Sequence, residues 1–398
     1  MRIEIPNAVE EIIGKLNRHG YEAFAVGGCV RDTILGRTPG DWDITTSASP
    51  YQVKELFRRT IDTGIQHGTV TIMKDHVGYE VTTYRIDGEY EDGRHPKSVV
   101  FTSSLKEDLR RRDFTINAMA YSHETGIVDE FGGMEDLAAG VIRCVGDPMD
   151  RFTEDALRIL RAIRFSAQLN FSIEPKTRAA ITAIAPNLSR VSKERVQVEL
   201  TKLLLSDHPE RMEEVYETGI SPYVSEHFHQ IDYHRLCISP KLPRQKHIRW
   251  AAFLKDEDEN AVVNILKDLK LDNDTIARVR MLNRWVGRRI PAEKIEIRRA
   301  MSQMEPSLFD DLLVLKQSVG EEGIEALERL TEEIRRAGDC VSLKELAVTG
   351  RDLLAAGMKP GKQVGETLNM LLELVLEQPE MNQKELLLEE FLTKAYNL

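Results

Sequence analysis

Two glycines and two aspartates at close spacing constrain this chain more than any other feature. Gly27-Gly28 follows the apolar run Phe24-Ala25-Val26 and precedes the helical pattern of Val30, Ile34 and Leu35. A strand, a glycine turn and a helix start leave backbone N–H groups and the positive end of a helix dipole facing a phosphate. Arg31 falls in the first helical turn and adds a fixed positive charge. Asp41-Trp42-Asp43 follows and runs into Ile44, Thr45 and Thr46, residues that favour a β-strand. Side chains two apart on a strand share a face, so Asp41 and Asp43 crowd each other. Crowded carboxylates call for a compensating cation, and Mg²⁺ takes one or two carboxylates plus substrate phosphates. A phosphate cradle joined by a short segment to such a platform suits attack on a nucleoside triphosphate.

Alone, each piece has a plainer reading: a Gly-Gly is usually a turn, and an Asp-x-Asp a solvated pair. Their conjunction is what carries weight. The chain has no G-x-x-x-x-G-K-[ST], and Gly27-Gly28 lacks the G-x-G-x-x-G pattern, so neither a P-loop nor a dinucleotide fold is indicated.

At 398 residues the chain predicts two to four domains, and 30% charged with 6% aromatic residues predicts helix-rich parts with modest cores. No membrane is expected as a partner, because apolar runs long enough to span one are missing from the sequence. The polar start Met1-Arg2-Ile3-Glu4 does not read as a secretory signal. Cys29, Cys144, Cys237 and Cys340 are widely spaced and read as reduced thiols of a cytoplasmic protein. The net charge of −11 argues against indiscriminate nucleic-acid binding. Local basic clusters remain at Arg58-Arg59, Arg110 to Arg112, Arg158 to Arg164, and Arg284, Arg288, Arg289, Arg298 and Arg299.

Periodicity predicts a helix over 7–19, strands over 23–26, 42–45, 69–73 and 79–84, and helices over 28–35 and 50–59. A short strand is expected at 141–145. After Pro148 nearly all periodicity is helical. The expected class is α+β: a mixed-sheet head over 1–138, then all-helical parts over 139–207, 208–288 and 289–398. Glu80 lies on the strand 79–84, opposite in facing to Val81 and Thr83, as a candidate third acid. Residues 87–96 form a polar, glycine-punctuated loop, long for a hairpin. Arg112 offers a planar fork suited to triphosphate oxygens. His227, His229 and His234 lack the partners and spacing of a zinc site.

Thr153 reads as the N-cap of a helix carrying Asp155, Arg158, Arg161 and Arg164. At about 100° per residue, Arg158 sits about 60° from Asp155, Arg161 about 120° and Arg164 about 180°. Asp155 and Arg158 are then neighbours able to share one target. A carboxylate accepts and a guanidinium donates, which matches the amino donor and ring-nitrogen acceptor of cytosine and adenine. Uracil and guanine present the reverse order. An ordinary helix salt bridge is the competing explanation.

Together, Gly27-Gly28-Cys29-Val30-Arg31-Asp32, Leu35-Gly36-Arg37 and Asp41-Trp42-Asp43 resemble the signature of the DNA polymerase beta nucleotidyltransferase superfamily. The form is that of bacterial class II tRNA nucleotidyltransferases, the CCA-adding enzymes, and of bacterial poly(A) polymerases. Arg112-Asp113-Phe114-Thr115-Ile116-Asn117 looks like the second family motif, and Glu154-Asp155…Arg158…Arg161…Arg164 like its nucleotide-recognition motif. The resemblance implies a helical neck, body and tail behind the head. It implies addition of C, C and A to the tRNA 3′ end from CTP and ATP, with Mg²⁺ on Asp41 and Asp43. It assigns Gly27, Gly28, Arg31 and Arg112 to the triphosphate, and Asp113 and Asn117 to support of the sugar or loop geometry. Asp155 and Arg158 go to the base, and Arg161 and Arg164 to the nucleotide pocket. A flexible loop at 87–96 goes with switching from C to A. The stretches Thr349-Gly350-Arg351-Asp352 and Lys359-Pro360-Gly361-Lys362 are similar to the tail that holds the tRNA elbow. A poly(A) polymerase or a partial CC- or A-adding enzyme is the alternative. The oligomeric state, a homodimer included, is left open.

Overall fold

A computed structural model of the chain describes residues 2–88, 99–235 and 238–396. It divides into two compact units, Met1–Leu236 with Lys267–Leu271, and Cys237–Leu266 with Asp272–Leu398. The loop expected at 87–96 falls almost wholly outside the described residues, as does Cys237.

The first unit opens with α1 (Asn7–Arg18), which buries the stripe Val9, Ile12, Ile13 and Leu16. Then come β1 (Ala23–Val26), α2 (Gly28–Ile34), β2 (Ile44–Thr46) and α3 (Pro50–Leu56). The last begins on a capping box made by Ser49 and Gln52. β3 (Thr60–Gly64), β4 (Thr69–Lys74) and β5 (Val77–Thr83) follow, and a small hairpin of β6 (Arg85–Asp87) and β7 (Val99–Phe101). The unit continues through α4 (Leu105–Arg110), β8 (Met119–Ser122), β9 (Gly126–Asp129) and α5 (Gly133–Ala139). The main sheet has seven strands in the order β3-β4-β5-β2-β1-β8-β9. β2 pairs in parallel with β5 and antiparallel with β1. This mixed pairing puts the turn after β1, the start of β2 and the middle of β5 side by side. Phe24, Val26, Tyr84, Leu109, Ala118, Ala120 and Val145 pack into one core beneath them.

The strand expected at 141–145 shrinks to β10 (Val141–Ile142), paired with β11 (Ser172–Ile173). Between them lie α6 (Pro148–Glu154) and α7 (Leu157–Leu169), followed by α8 (Pro175–Ile184) and α9 (Lys193–Leu204). The single helix expected from Thr153 onward is therefore two. Asp147, not Thr153, caps α6, accepting from the Met149 N–H at 2.7 Å. Asp155 leaves helical geometry at φ −142°, ψ 102°. Its side chain instead accepts from the Leu157 N–H at 3.0 Å, starting α7 afresh.

Every regular element among the second unit's described residues is a helix, joined by turns. One core gathers Leu346, Val348, Leu353, Leu371, Val375, Leu376 and Leu387. No helix among the described residues is long and apolar enough to cross a membrane. Cys29, Cys144 and Cys340 are free and buried.

Candidate active site

Gly27 closes β1 with φ +87°, a left-handed value that favours glycine. A Cβ there would sit 3.0 Å from a terminal nitrogen of Arg112, so the glycine also gives the guanidinium room to approach. Gly28, next in line, starts α2. The Nε of Arg112 is buried with no hydrogen-bond partner, a donor left open beside the turn.

Asp41 and Asp43 do not lie within β2; they form the extended approach to it. Asp43 still joins the sheet, its carbonyl accepting from the Val26 N–H at 3.0 Å. The register Ile44↔Val81 sets Glu80 beside Asp43 across the parallel pair. Burial raises the Asp43 pKa, and the negative charges of Asp41 and Glu80 add to it against the pull of Arg112. Asp43 is pushed up to about 6, from an ordinary value of about 3.9. Asp41 and Glu80 are exposed. These residues fit a divalent cation, since a desolvated carboxylate among like charges is relieved by one. No three His, Cys, Asp or Glu side chains among the described residues close into a complete cage. Two carboxylates plus substrate phosphates are a usual Mg²⁺ environment.

Arg31 points away from solvent, donating to Asn117 Oδ1 at 2.6 Å and pairing with Asp32 at 2.8 Å. Asn117 passes the connection on, its Nδ2 donating to Asp113 at 3.0 Å. Asp113 accepts two bonds from Arg161, at 2.9 and 2.6 Å. Burial opposes its charge, but Arg161 and Asn117 outweigh this and hold its pKa far below the carboxylate range. Arg164 is buried, donating to Glu199 on α9 at 2.6 Å and to Gln168 at 2.7 Å. The guanidiniums of Arg31, Arg161 and Arg164 all lie over the Phe165 ring, at 4.9, 5.3 and 3.8 Å.

Asp155 and Arg158 are close in sequence but hold different partners. Asp155 Oδ2 accepts from Arg195 of α9 at 2.7 Å. Arg158 donates to Glu154 at 2.5 Å and to the carbonyls of Arg151 and Arg111 at 2.9 and 3.2 Å. The angle count assumed one unbroken helix, and the break at Asp155 voids it. Arg195 and Glu199 escaped the sequence reading. Their one trace is a four-residue spacing on a helix that also buries Val196 and Leu200.

Arg284, Arg298 and Arg299 of the second unit are tied to Glu259, Asp339 and a trio of glutamates. His227 pairs with Asp268, and His229 with Ser221.

A family profile described as "Poly A polymerase head domain" matches residues 23–143, and a "tRNA nucleotidyltransferase domain 2" profile matches 243–391. The CCA-adding enzyme of Levilactobacillus brevis is 40% identical over 90% of this chain and 91% of that protein. That of Enterococcus faecalis is 37% identical over 96% of both. The chain belongs to the CCA-adding enzyme family. A crystal structure of the Bacillus stearothermophilus CCA-adding enzyme in complex with CTP superposes with a TM-score of 0.84 at 32% identity. It matches 99% of this chain and 100% of that one. The expected class, a mixed-sheet head with a helical remainder, is the observed one. Nucleotidyltransferases of this family generally need a divalent metal.

Proposed function

We infer that the chain adds C, C and A in turn to the tRNA 3′ end, taking CTP and ATP and releasing pyrophosphate. Membership of the CCA-adding family supports the activity over poly(A) synthesis or partial addition. One observation carries the assignment of the chemistry to this site: Asp43, destabilised by burial, Asp41 and Glu80, faces Arg112 with its open donor. Two Mg²⁺ ions on Asp41 and Asp43 would neutralise the triphosphate and activate the 3′ hydroxyl.

The protein's own groups do the rest. The turn at Gly27-Gly28 presents backbone N–H groups, and Arg112 presents a fork, to the triphosphate. Glu80 accepts the proton from the attacking hydroxyl, or polarises it. Arg31, Asn117, Asp113 and Arg161 form one hydrogen-bonded chain that fixes the sugar and base side of the pocket. Asp155 uses two acceptor positions on Leu157 and Arg195, and a carboxylate has about four. An exocyclic amine can take one that remains. Arg158 must turn from Glu154 to reach a ring nitrogen.

We assign 1–138 as head, 139–207 as neck, 208–288 as body and 289–398 as tail, with tRNA held through the tail. The cytoplasm, where tRNA and nucleoside triphosphates meet, is the compartment this activity implies. The test is a trimmed tRNA offered each nucleotide singly and then in pairs, with the product ends sequenced. C, C and A in that order from CTP and ATP supports the reading. A run of A from ATP alone favours a poly(A) polymerase.

A further inference from the structure

Asp108 takes no part in the chemistry above, yet it is charged and has no exposed surface. It lies on α4, three residues before Arg111 and four before Arg112, which is one helical turn. Its Oδ1 accepts from Arg111 Nε at 2.9 Å and from the backbone N–H of Arg85 at 3.4 Å. Its Oδ2 accepts from the Thr45 hydroxyl at 3.0 Å and lies 3.5 Å from a terminal nitrogen of Arg112. Thr45 stands on β2, two residues past Asp43. Arg85 opens the β6–β7 hairpin. One carboxylate thus links three pieces of chain: the strand that follows Asp43, the root of the hairpin, and the arginine set against Gly27.

The way the two arginines divide Asp108 matters. Arg111 makes the close, two-point contact, at 2.9 and 2.8 Å, and neutralises the carboxylate. Arg112 is held farther off, so the trio keeps a net charge of +1 (two guanidiniums less one carboxylate). Burial works against ionisation of Asp108, but the two guanidiniums and the Thr45 bond keep its pKa below the ordinary carboxylate range. Arg112 is oriented without being cancelled. Its Nε stays unbonded and its charge available.

We propose that Asp108 is a positioning residue for nucleotide binding, holding the Arg112 guanidinium against Gly27 and in register with the strand that follows Asp43. The proposal rests on the reading of Arg112 as a triphosphate ligand. Loss of the charge in Asp108→Asn leaves Arg112 free to swing and frees Arg111 to compete for the same phosphate.

The measurements are KM and kcat for CTP and ATP, and KM for tRNA, in Asp108→Asn, Arg112→Lys and the double variant, with thermal unfolding of each. Asp108→Asn should raise KM for both nucleotides about tenfold, with kcat and the tRNA KM within about twofold of the parent. The double variant should be no worse than Arg112→Lys alone, because both changes remove one interaction. Unchanged nucleotide KM in a folded Asp108→Asn protein overturns the proposal, and so do multiplicative effects in the double variant. An unchanged KM in Arg112→Lys would instead sink the triphosphate reading, and the proposal with it. If Asp108→Asn does not fold, Thr45→Val carries the test. It loosens the oxygen facing Arg112 and should raise nucleotide KM about two- to threefold, an increase that vanishes beside Arg112→Lys. No increase overturns the proposal.

Discussion

The sheet-bearing head and the stretch proposed as the neck handle charge in opposite ways. In the head, Asp43 is crowded by Asp41 and Glu80, half desolvated, and only partly relieved by Arg112. In that stretch, Arg164 has Glu199 and Arg195 has Asp155, and Arg161 reaches back to Asp113 of the head, each within 2.7 Å. The head is a set of groups that want a ligand. The neck is a lattice of groups that already have one another. On the proposed function, a cation and a triphosphate would complete the first, whereas a base would have to share or displace partners in the second. Metal-dependent chemistry should therefore fail outright when a head carboxylate goes. Selectivity should degrade by degrees when a neck contact goes.

The largest effect expected is on turnover. Asp41→Ala or Asp43→Ala should lower kcat by about a thousandfold or more, since charge stabilisation by a bound metal is worth several kcal/mol. tRNA binding, read by filter retention, should stay near normal. Turnover within tenfold of the parent would remove the head from its side of the contrast.

Next comes the neck lattice itself. Glu199→Leu leaves the buried Arg164 uncompensated and should destabilise the first unit by about 3–5 kcal/mol, read from denaturant midpoints. A loss below about 1 kcal/mol would mean that Arg164 finds water or another acceptor, and that the lattice is looser than it looks.

Selectivity is a smaller quantity. Asp155→Ala removes an acceptor that a carbonyl-bearing base cannot use, so discrimination against UTP and GTP should fall about ten- to a hundredfold. The check is kcat/KM for all four nucleotides on a tRNA ending at the discriminator base. If CTP and ATP use falls with no relative gain for UTP or GTP, Asp155 is a helix cap and nothing more.

The smallest effect runs in the opposite sense and turns on pH. The folded-state pKa of Asp43 lies above its unfolded value, so its ionisation costs more in the folded chain. In metal-free buffer the parent therefore loses stability as pH rises from about 4 through about 6. Asp43→Asn should be more stable by about 1–2 kcal/mol above pH 7 and equal to the parent below about pH 4. Unfolding curves that coincide at every pH would show that the head is not strained in the way described.

How far the site could be read in advance varied with the range of the contacts involved. Gly27-Gly28 was legible as a turn and Asp41-x-Asp43 as a close pair because each lies within a few residues, although the strand expected to carry the pair begins only at Ile44. Glu80 could be suspected from strand alternation, but only the parallel pairing of β2 with β5 brings it beside Asp43. Arg31 read as a charge at a helix start, and the fold turns it inward to Asn117, eighty-six positions on. Asp155 and Arg158 were placed on one helix by counting. The Asx bond to Leu157 broke that helix, and Arg195, forty positions away, took the carboxylate.

By itself, then, the sequence determined the local pieces: a glycine turn, a close pair of aspartates, a sheet-bearing head and a helical remainder. It also determined the family, whose motifs are short and contiguous. The tertiary structure alone decided which carboxylate faces which guanidinium. Those pairings join residues on different elements, so no local periodicity encodes them. Whether Asp108 meets Thr45 or Glu199 meets Arg164 depends on sheet order and on the packing of α9 against α7, which many weak contacts settle together.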